Sequence, residues 1–181
     1  MAQSSYTERM ATATAQLTLH QFREQYANES GYEYWFGEVV RKAVPTWLHA
    51  LLQQLLGDVL IQAGYRSGPE LTLRIDPEWE PRPDVAASLV IEQPYPTKPI
   101  DIVAEVLSPE DRMSRVFEKC RLYARAGIAQ IYLFDPELRF AWEWSRENEN
   151  LERIAEMRLP NGNTISVQAI WEELDRRLST S

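Results

Sequence analysis

The chain has 181 residues, of which 44% are hydrophobic and 25% charged, the make-up of an ordinary globular protein long enough to bury one real core. Its formal net charge of −8 argues against a broad nucleic-acid-coating surface, but leaves room for a small site where bound cations offset local carboxylates. The single cysteine, Cys120, excludes an intrachain disulfide, and no apolar run approaches the ~18 residues of a bilayer span, so a soluble protein of the reducing cytoplasm, without a membrane partner, is expected.

Residues 1–16 are rich in Ser, Thr and Ala and lack the apolar stretch of a signal peptide; a loose tail is expected, followed by one domain over 17–181. Thr18-Leu19-His20-Gln21 has the form of a capping box and predicts a short helix from Leu19 to Asn28, broken by Ser30-Gly31. Tyr32 to Lys42, aromatic and β-branched, reads as a strand with a turn at Gly37. Pro45-Thr46 opens a helix from Trp47 to Ala63, whose Leu48, Leu51, Leu52, Leu55, Leu56, Val59 and Leu60 recur at helical spacing and which Gly64 stops.

Leu71 to Ile75 is expected as a short strand, Asp76 to Pro83 as a connection, and Val85 to Ile91 as a strand. Three prolines between Glu92 and Pro99 mark a loop. Asp101 to Ser108 is apolar on both faces, as in a strand covered on two sides. Ser108-Pro109-Glu110-Asp111 then supplies a cap, a first-turn proline and early acids for a helix that runs to Ala126 and ends at Gly127. With Gln130 to Phe134 this makes a β-α-β unit, two parallel strands joined by a right-handed crossover. Phe140–Trp144, Ile154–Leu159 and Thr164–Val167 predict an antiparallel meander with a hairpin turn at Asn161-Gly162, and Ala169 to Leu178 a terminal helix. The expected fold class is α/β, a mixed sheet flanked by helices.

The chemistry concentrates in carboxylates placed among apolar residues. Glu105 interrupts the apolar run 102–107, and a buried ionised carboxylate is costly without a cation or donors beside it. Lys119 follows fourteen residues later in the next helix. Glu105 lies ~10 Å back along its strand, and the returning helix rises ~1.5 Å per residue, so the two residues come out level. Two readings of Lys119 stand on spacing alone: a lysine reaching down to the sheet, or a solvated lysine paired with Glu118 or Asp111. Asp84 shares a strand face with Ala86 and Ser88, and the alternative for it is a turn cap after Pro83. Glu33 lies among large aromatics, and its alternative is an edge residue facing water. Together Asp84 and Glu105 make a hard-oxygen pair suited to Mg²⁺, with Lys119 to orient or deprotonate a water or to neutralise developing charge. Residues 109–128 hold five basic and three acidic side chains, a net positive segment suited to a phosphate.

These residues, in this order, resemble the Uma-two family of restriction-endonuclease-like proteins within the PD-(D/E)XK nuclease superfamily. The matching stretches are Tyr32-Glu33 with Gly37-Glu38, Pro45 with His49, Arg82-Pro83-Asp84-Val85-Ala86, and Glu105-Val106-Leu107-Ser108-Pro109. They continue through Glu118-Lys119 and Tyr123-Ala124-Arg125-Ala126-Gly127-Ile128 to Tyr132 and Asp135-Pro136, so that the resemblance spans roughly residues 18 to 145. It implies a restriction-endonuclease-like core, metal on Asp84 and Glu105, and Glu33 as a third acid. The superfamily's lysine two residues after the second acid is replaced here by Leu107, and Lys119 takes its place from the helix. Phe36 and Arg115 stand where members often carry aspartates.

The reading is a Mg²⁺-dependent endonuclease, with Mn²⁺ as a substitute, cleaving phosphodiester bonds of DNA through Asp84, Glu105, Lys119 and Glu33. The alternative is a catalytically inactive, homo-oligomeric interaction module on the same fold; a metal-free carboxylate-pair glycosidase leaves Lys119 without a role. His49 has two readings, contact to phosphate or metal, or capping and packing. Cys120, on an apolar stripe, is expected to be an inert buried thiol.

Overall fold

The computed structural model describes residues 16–26, 29 and 31–179. Residues 1–15 of the expected tail, and Asn28 and Ser30 at the expected end of the first helix, lie outside these. The elements in chain order are α1 (Leu19–Tyr26), β1 (Tyr32–Trp35), β2 (Glu38–Arg41), α2 (Trp47–Gln62), β3 (Arg66–Pro69), β4 (Trp79–Glu80), β5 (Val85–Ser88) and β6 (Ile102–Val106). Then come α3 (Met113–Arg125), β7 (Gln130–Asp135), β8 (Phe140–Ser145), β9 (Asn150–Arg153), β10 (Glu156–Arg158), β11 (Thr164–Ser166) and α4 (Val167–Ser179).

Six strands form the main sheet in the order β3-β5-β6-β7-β8-β9. β6 and β7 are parallel, joined by α3 as the crossover motif predicts, and the other pairs are antiparallel. β2, β1 and β4 make a small separate sheet, and β10 with β11 a hairpin.

The main sheet is covered on both faces, which is why β5 and β6 are buried at every position. Leu52, Leu56 and Leu60 of α2 and Ile170 and Leu174 of α4 pack with Val85, Ala87, Ile102, Ala104 and Val106. The alternate residues Ala86 and Val103 face the other way, into a cluster with Cys120 and Tyr123 of α3, Trp35 of β1 and Trp79 of β4. That alternation fixes the site: Asp84 and Glu105 fall on the α3 side. Gly64 and Gly127 end α2 and α3 at φ +97° and +91°, backbone that a Cβ would strain.

Several elements differ from expectation. Tyr32–Lys42 is a hairpin of two strands whose turn, Phe36-Gly37, has φ of 47° and 94°. A bulky residue takes that conformation at a cost that an aspartate or asparagine would reduce. Leu71–Ile75 is not a strand. Leu73 N–H donates to the Pro81 carbonyl (3.0 Å) and Arg74 N–H to that of Pro96 (2.9 Å), and prolines cannot return the bonds that would build a ladder. The strand lies earlier, at β3, and the Asp76–Pro83 connection contains β4. α3 begins at Met113 rather than near Pro109. Ser108 N–H donates to Asp111 Oδ2 (2.7 Å) and Asp111 N–H to the Ser108 carbonyl (3.0 Å), so the capping residues close a turn on themselves. The C-terminal meander is divided: β8 pairs with β9, absent from the sequence reading, and β10 pairs only with β11.

Candidate functional site

The register of β5 against β6 pairs Val85 with Ala104 and Ala86 with Val103. Continued by one residue, it sets Asp84 opposite Glu105. Like charges directly opposite on neighbouring strands repel, and both side chains are buried, Asp84 at 3% and Glu105 at 9% exposure. Such a pair persists only because cations and donors surround it.

Lys119 is one of those cations. Its Nζ lies 2.9 Å from Glu105 Oε1 and 2.9 Å from Glu33 Oε1. The side chain reaches the sheet from the α3 flank, one turn before Tyr123, whose hydroxyl donates to Glu105 Oε1 at 2.6 Å. Both contacts to Glu105 use the same oxygen. Glu33 is tied on both oxygens: Oε1 also accepts the Arg82 N–H (2.8 Å) and Oε2 the Trp35 indole N–H (2.9 Å). Glu33 thus holds Lys119 in place, fastened from two further sides.

The second cation is Lys42, which sequence reading left at a strand end. Its Nζ donates to Glu70 Oε1 (2.7 Å), the Arg82 carbonyl (2.8 Å) and Asp84 Oδ1 (2.8 Å). Asp84 Oδ2 accepts the Val106 N–H at 2.8 Å, and His49 Nε2 lies 3.5 Å away. The other ring nitrogen, Nδ1, is 3.2 Å from Ser108 Oγ, and the backbone N–H of His49 donates to Thr46 Oγ1 at the start of α2, so the residue is both part of a helix cap and in contact with a site acid.

Electrostatics separates the two acids. Burial opposes ionisation of Asp84, but Lys42 and His49 outweigh it and hold the carboxyl well below the usual carboxylate range. Burial dominates at Glu105; Lys119 offsets it only in part, Asp84 adds repulsion, and the carboxyl is pushed up to about 7. Glu33 is lowered, because Lys119 and Lys42 overcome its burial. Lys119 also resists its own burial: Glu105, Glu33 and Asp84 raise it above the ordinary lysine value, so it stays an ammonium. Cys120, pushed up to about 12 by burial and by Glu105, is the inert thiol expected.

Four carboxylates, Glu33, Glu70, Asp84 and Glu105, thus share two ammonium groups. The raised Glu105 reflects its burial first and the repulsion of Asp84 and Glu33 after that. Among the described residues no three Asp, Glu, His or Cys side chains converge as a ready-made metal cage. A donor set of two carboxylates completed by water suits Mg²⁺, which keeps several waters and binds through one or two carboxylates. Asp84 and Glu105 fit that pattern. They line a cavity of about 690 Å³ together with Glu33, Lys42, His49 and Lys119, and with Arg41, Arg112 and Arg115. A larger groove of about 1140 Å³, lined by Arg139, Glu143, Arg153 and Trp171, contains none of these acids.

The sequence profile of Uma2, described as "Putative restriction endonuclease", matches residues 19–179. The chain belongs to the Uma2 family. A crystal structure from Anabaena variabilis described as "a putative nuclease belonging to DUF820" is 20% identical, covers 87% of this chain and 99% of that one, and superposes with a TM-score of 0.71. That likeness shows the Uma2 chain to have the same mixed α/β nuclease fold. A cryo-EM structure of a DrdV–DNA complex aligns with 68% of this chain and 10% of that one at 18% identity; its TM-score of 0.39 is too low to carry an argument. No curated protein matches. Among the described residues of this Uma2 protein, no helix is long and apolar enough to cross a membrane.

Lys42, Glu70, Gln53 and Tyr123 complete the site beyond the sequence reading. Tyr123 had a signal, since it follows Lys119 by four residues on one helix face. Lys42 had none, because it meets Asp84 across 42 residues of chain.

Proposed function

We propose that this protein is a Mg²⁺-dependent endonuclease, also served by Mn²⁺, that hydrolyses phosphodiester bonds of DNA, with residues 17–181 acting as one nuclease domain. The observation that carries the reading is the buried pair Asp84 and Glu105, facing each other across two strands with Lys119 at 2.9 Å from Glu105. A divalent ion held there would polarise a phosphate oxygen and acidify a water.

The chain's own residues do the rest. Asp84 and Glu105 hold the ion by their carboxylates, and Tyr123 and the Val106 N–H orient those carboxylates. Lys119 keeps its proton, so it acts as a fixed positive charge and donor toward the phosphate or the attacking water rather than as the base. Glu33 positions Lys119. Arg41, Arg112 and Arg115 line the same cavity and give a phosphodiester a positive approach within an acidic protein. The family description supports a restriction-type nuclease and hence DNA.

Plasmid nicking with Mg²⁺, Mn²⁺ or EDTA tests this. Cleavage should require the ion and fall at least a hundredfold in Asp84→Asn, Glu105→Gln and Lys119→Met. Wild-type rates in Asp84→Asn would end the proposal. One observation favours the second reading, an inactive homo-oligomeric module: Lys42 already occupies Asp84. Ion-dependent cleavage that Glu105→Gln abolishes would exclude it.

A further inference from the structure

The ammonium of Lys42 has three N–H donors and three acceptors at 2.7 to 2.8 Å, one each from Glu70, the Arg82 backbone and Asp84. The cradle is built. Gln53 of α2 donates to the Asp84 backbone carbonyl at 2.7 Å and lies 3.5 Å from Glu70 Oε1, so it links the Glu70 acceptor to the backbone that carries Asp84. The Lys42 side chain is 14% exposed and lines the cavity that also holds Glu105.

The two oxygens of Asp84 are not equivalent. Oδ2 accepts the Val106 backbone N–H at 2.8 Å, which anchors the carboxylate to β6, and has His49 Nε2 3.5 Å away on its other side. Oδ1 is engaged by Lys42 alone. The less crowded oxygen for an ion is therefore the one on which the ammonium rests. Lys42 can give that oxygen up without leaving its place, since Glu70 and the Arg82 carbonyl keep two of its three hydrogens and the cavity admits water to the third.

From this we infer that Lys42 is a resident cation on Asp84 which a divalent ion must displace, so that Lys42 sets the ion concentration at which the site fills. The inference rests on the metal-site reading above. Lys42 is a positioning residue here: it holds Asp84 ready in the ion-free protein and weakens the ion's hold by competition.

The test is calorimetric titration of Mn²⁺ and Mg²⁺ into the ion-free full chain, as wild type, Lys42→Met, Glu105→Ala and, as a surface control, Lys98→Met. Removing a unit charge beside a divalent ion should tighten Mn²⁺ binding at least tenfold in Lys42→Met and leave Lys98→Met unchanged. Binding seen only in Lys42→Met is the extreme form of the same result. Equal or weaker binding by a folded Lys42→Met, with Glu105→Ala abolishing binding, overturns the role of Lys42 and leaves the metal site standing. No binding by wild type or Lys42→Met overturns both. A measurement on the wild type needs no variant to fold: the side-chain ammonium resonance of Lys42, followed by NMR, should shift on adding Mg²⁺ and saturate with the calorimetric Kd. A resonance unmoved at saturating Mg²⁺ overturns the inference.

Discussion

Lys119→Met asks how much of the fold rests on one ammonium. The side chain is 12% exposed and lies 2.9 Å from both Glu33 and Glu105, themselves buried. Methionine keeps the stem's packing and deletes the charge, stranding two acids. Breaking a buried pair by removing one partner costs about 3–5 kcal/mol. That figure applies where both acids are ionised, near pH 8. At pH 5.5 Glu105, pushed up to about 7, already carries a proton, so only Glu33 is stranded and the cost should shrink to about 2 kcal/mol or less. The sign follows from linkage: removing Lys119 makes both acids bind protons more tightly in the folded variant than in the folded wild type, so the variant loses stability relative to wild type as pH rises. Urea unfolding in EDTA, read by the fluorescence of the six tryptophans, measures this at both pH values, with equal m-values as the check on a common unfolded state. A loss under about 1 kcal/mol at pH 8, or one that is the same at pH 5.5, would refute the claim that Lys119 neutralises this pair.

Glu105→Gln isolates the pH dependence of the wild type. The folded-state value of about 7 lies above the ordinary 4.5, so the proton's contribution is full below 4.5 and is lost as pH rises through about 7, a change of about 3 kcal/mol that urea midpoints of wild type should show against the flatter glutamine variant. Mg²⁺ at a hundred times its Kd should add about 2.7 kcal/mol, seen as a rise in Tm of roughly 5–10 °C, and Asp84→Asn should show no rise. Leu174→Ala, at a fully buried position of α4, a helix that contributes no residue to the site cavity, should cost about 2–5 kcal/mol in urea and leave the Kd for Mg²⁺ unchanged.

What was legible in the sequence followed from local pattern. α2 announced itself through leucines at helical spacing with Gly64 behind them, and the β6-α3-β7 unit through an apolar run, a helical stripe and Gly127. Asp84, Glu105 and Lys119 stood out because the family resemblance and simple rise arithmetic pointed to one place, and the structure brings Lys119 to Glu105 there. Leu71–Ile75 misled because alternation reports a half-buried extended chain, whereas a strand also needs a neighbour that can return hydrogen bonds. β4 was missed because two residues carry no period, and β9 because Asn150-Leu151-Glu152-Arg153 has one apolar residue and so no alternation. Lys42 and Glu70 escaped for a different reason: each reaches Asp84's surroundings through the tertiary fold, and nothing near them in the chain distinguishes them from surface charges.

Glu33 does more than hold a lysine. Its carboxylate takes bonds from Lys119 on α3, from Trp35 in its own strand and from the Arg82 backbone just past β4, so the small sheet is fastened to the rest of the molecule at the very cluster where the chemistry would occur. The candidate site and the attachment of residues 32–41 are therefore one mechanical joint. A substitution that removes the lysine's charge also loosens a rivet, and amide exchange at Tyr34, faster in Lys119→Met than in Asp84→Asn, would reveal one variant that has come partly undone beside another that is still closed.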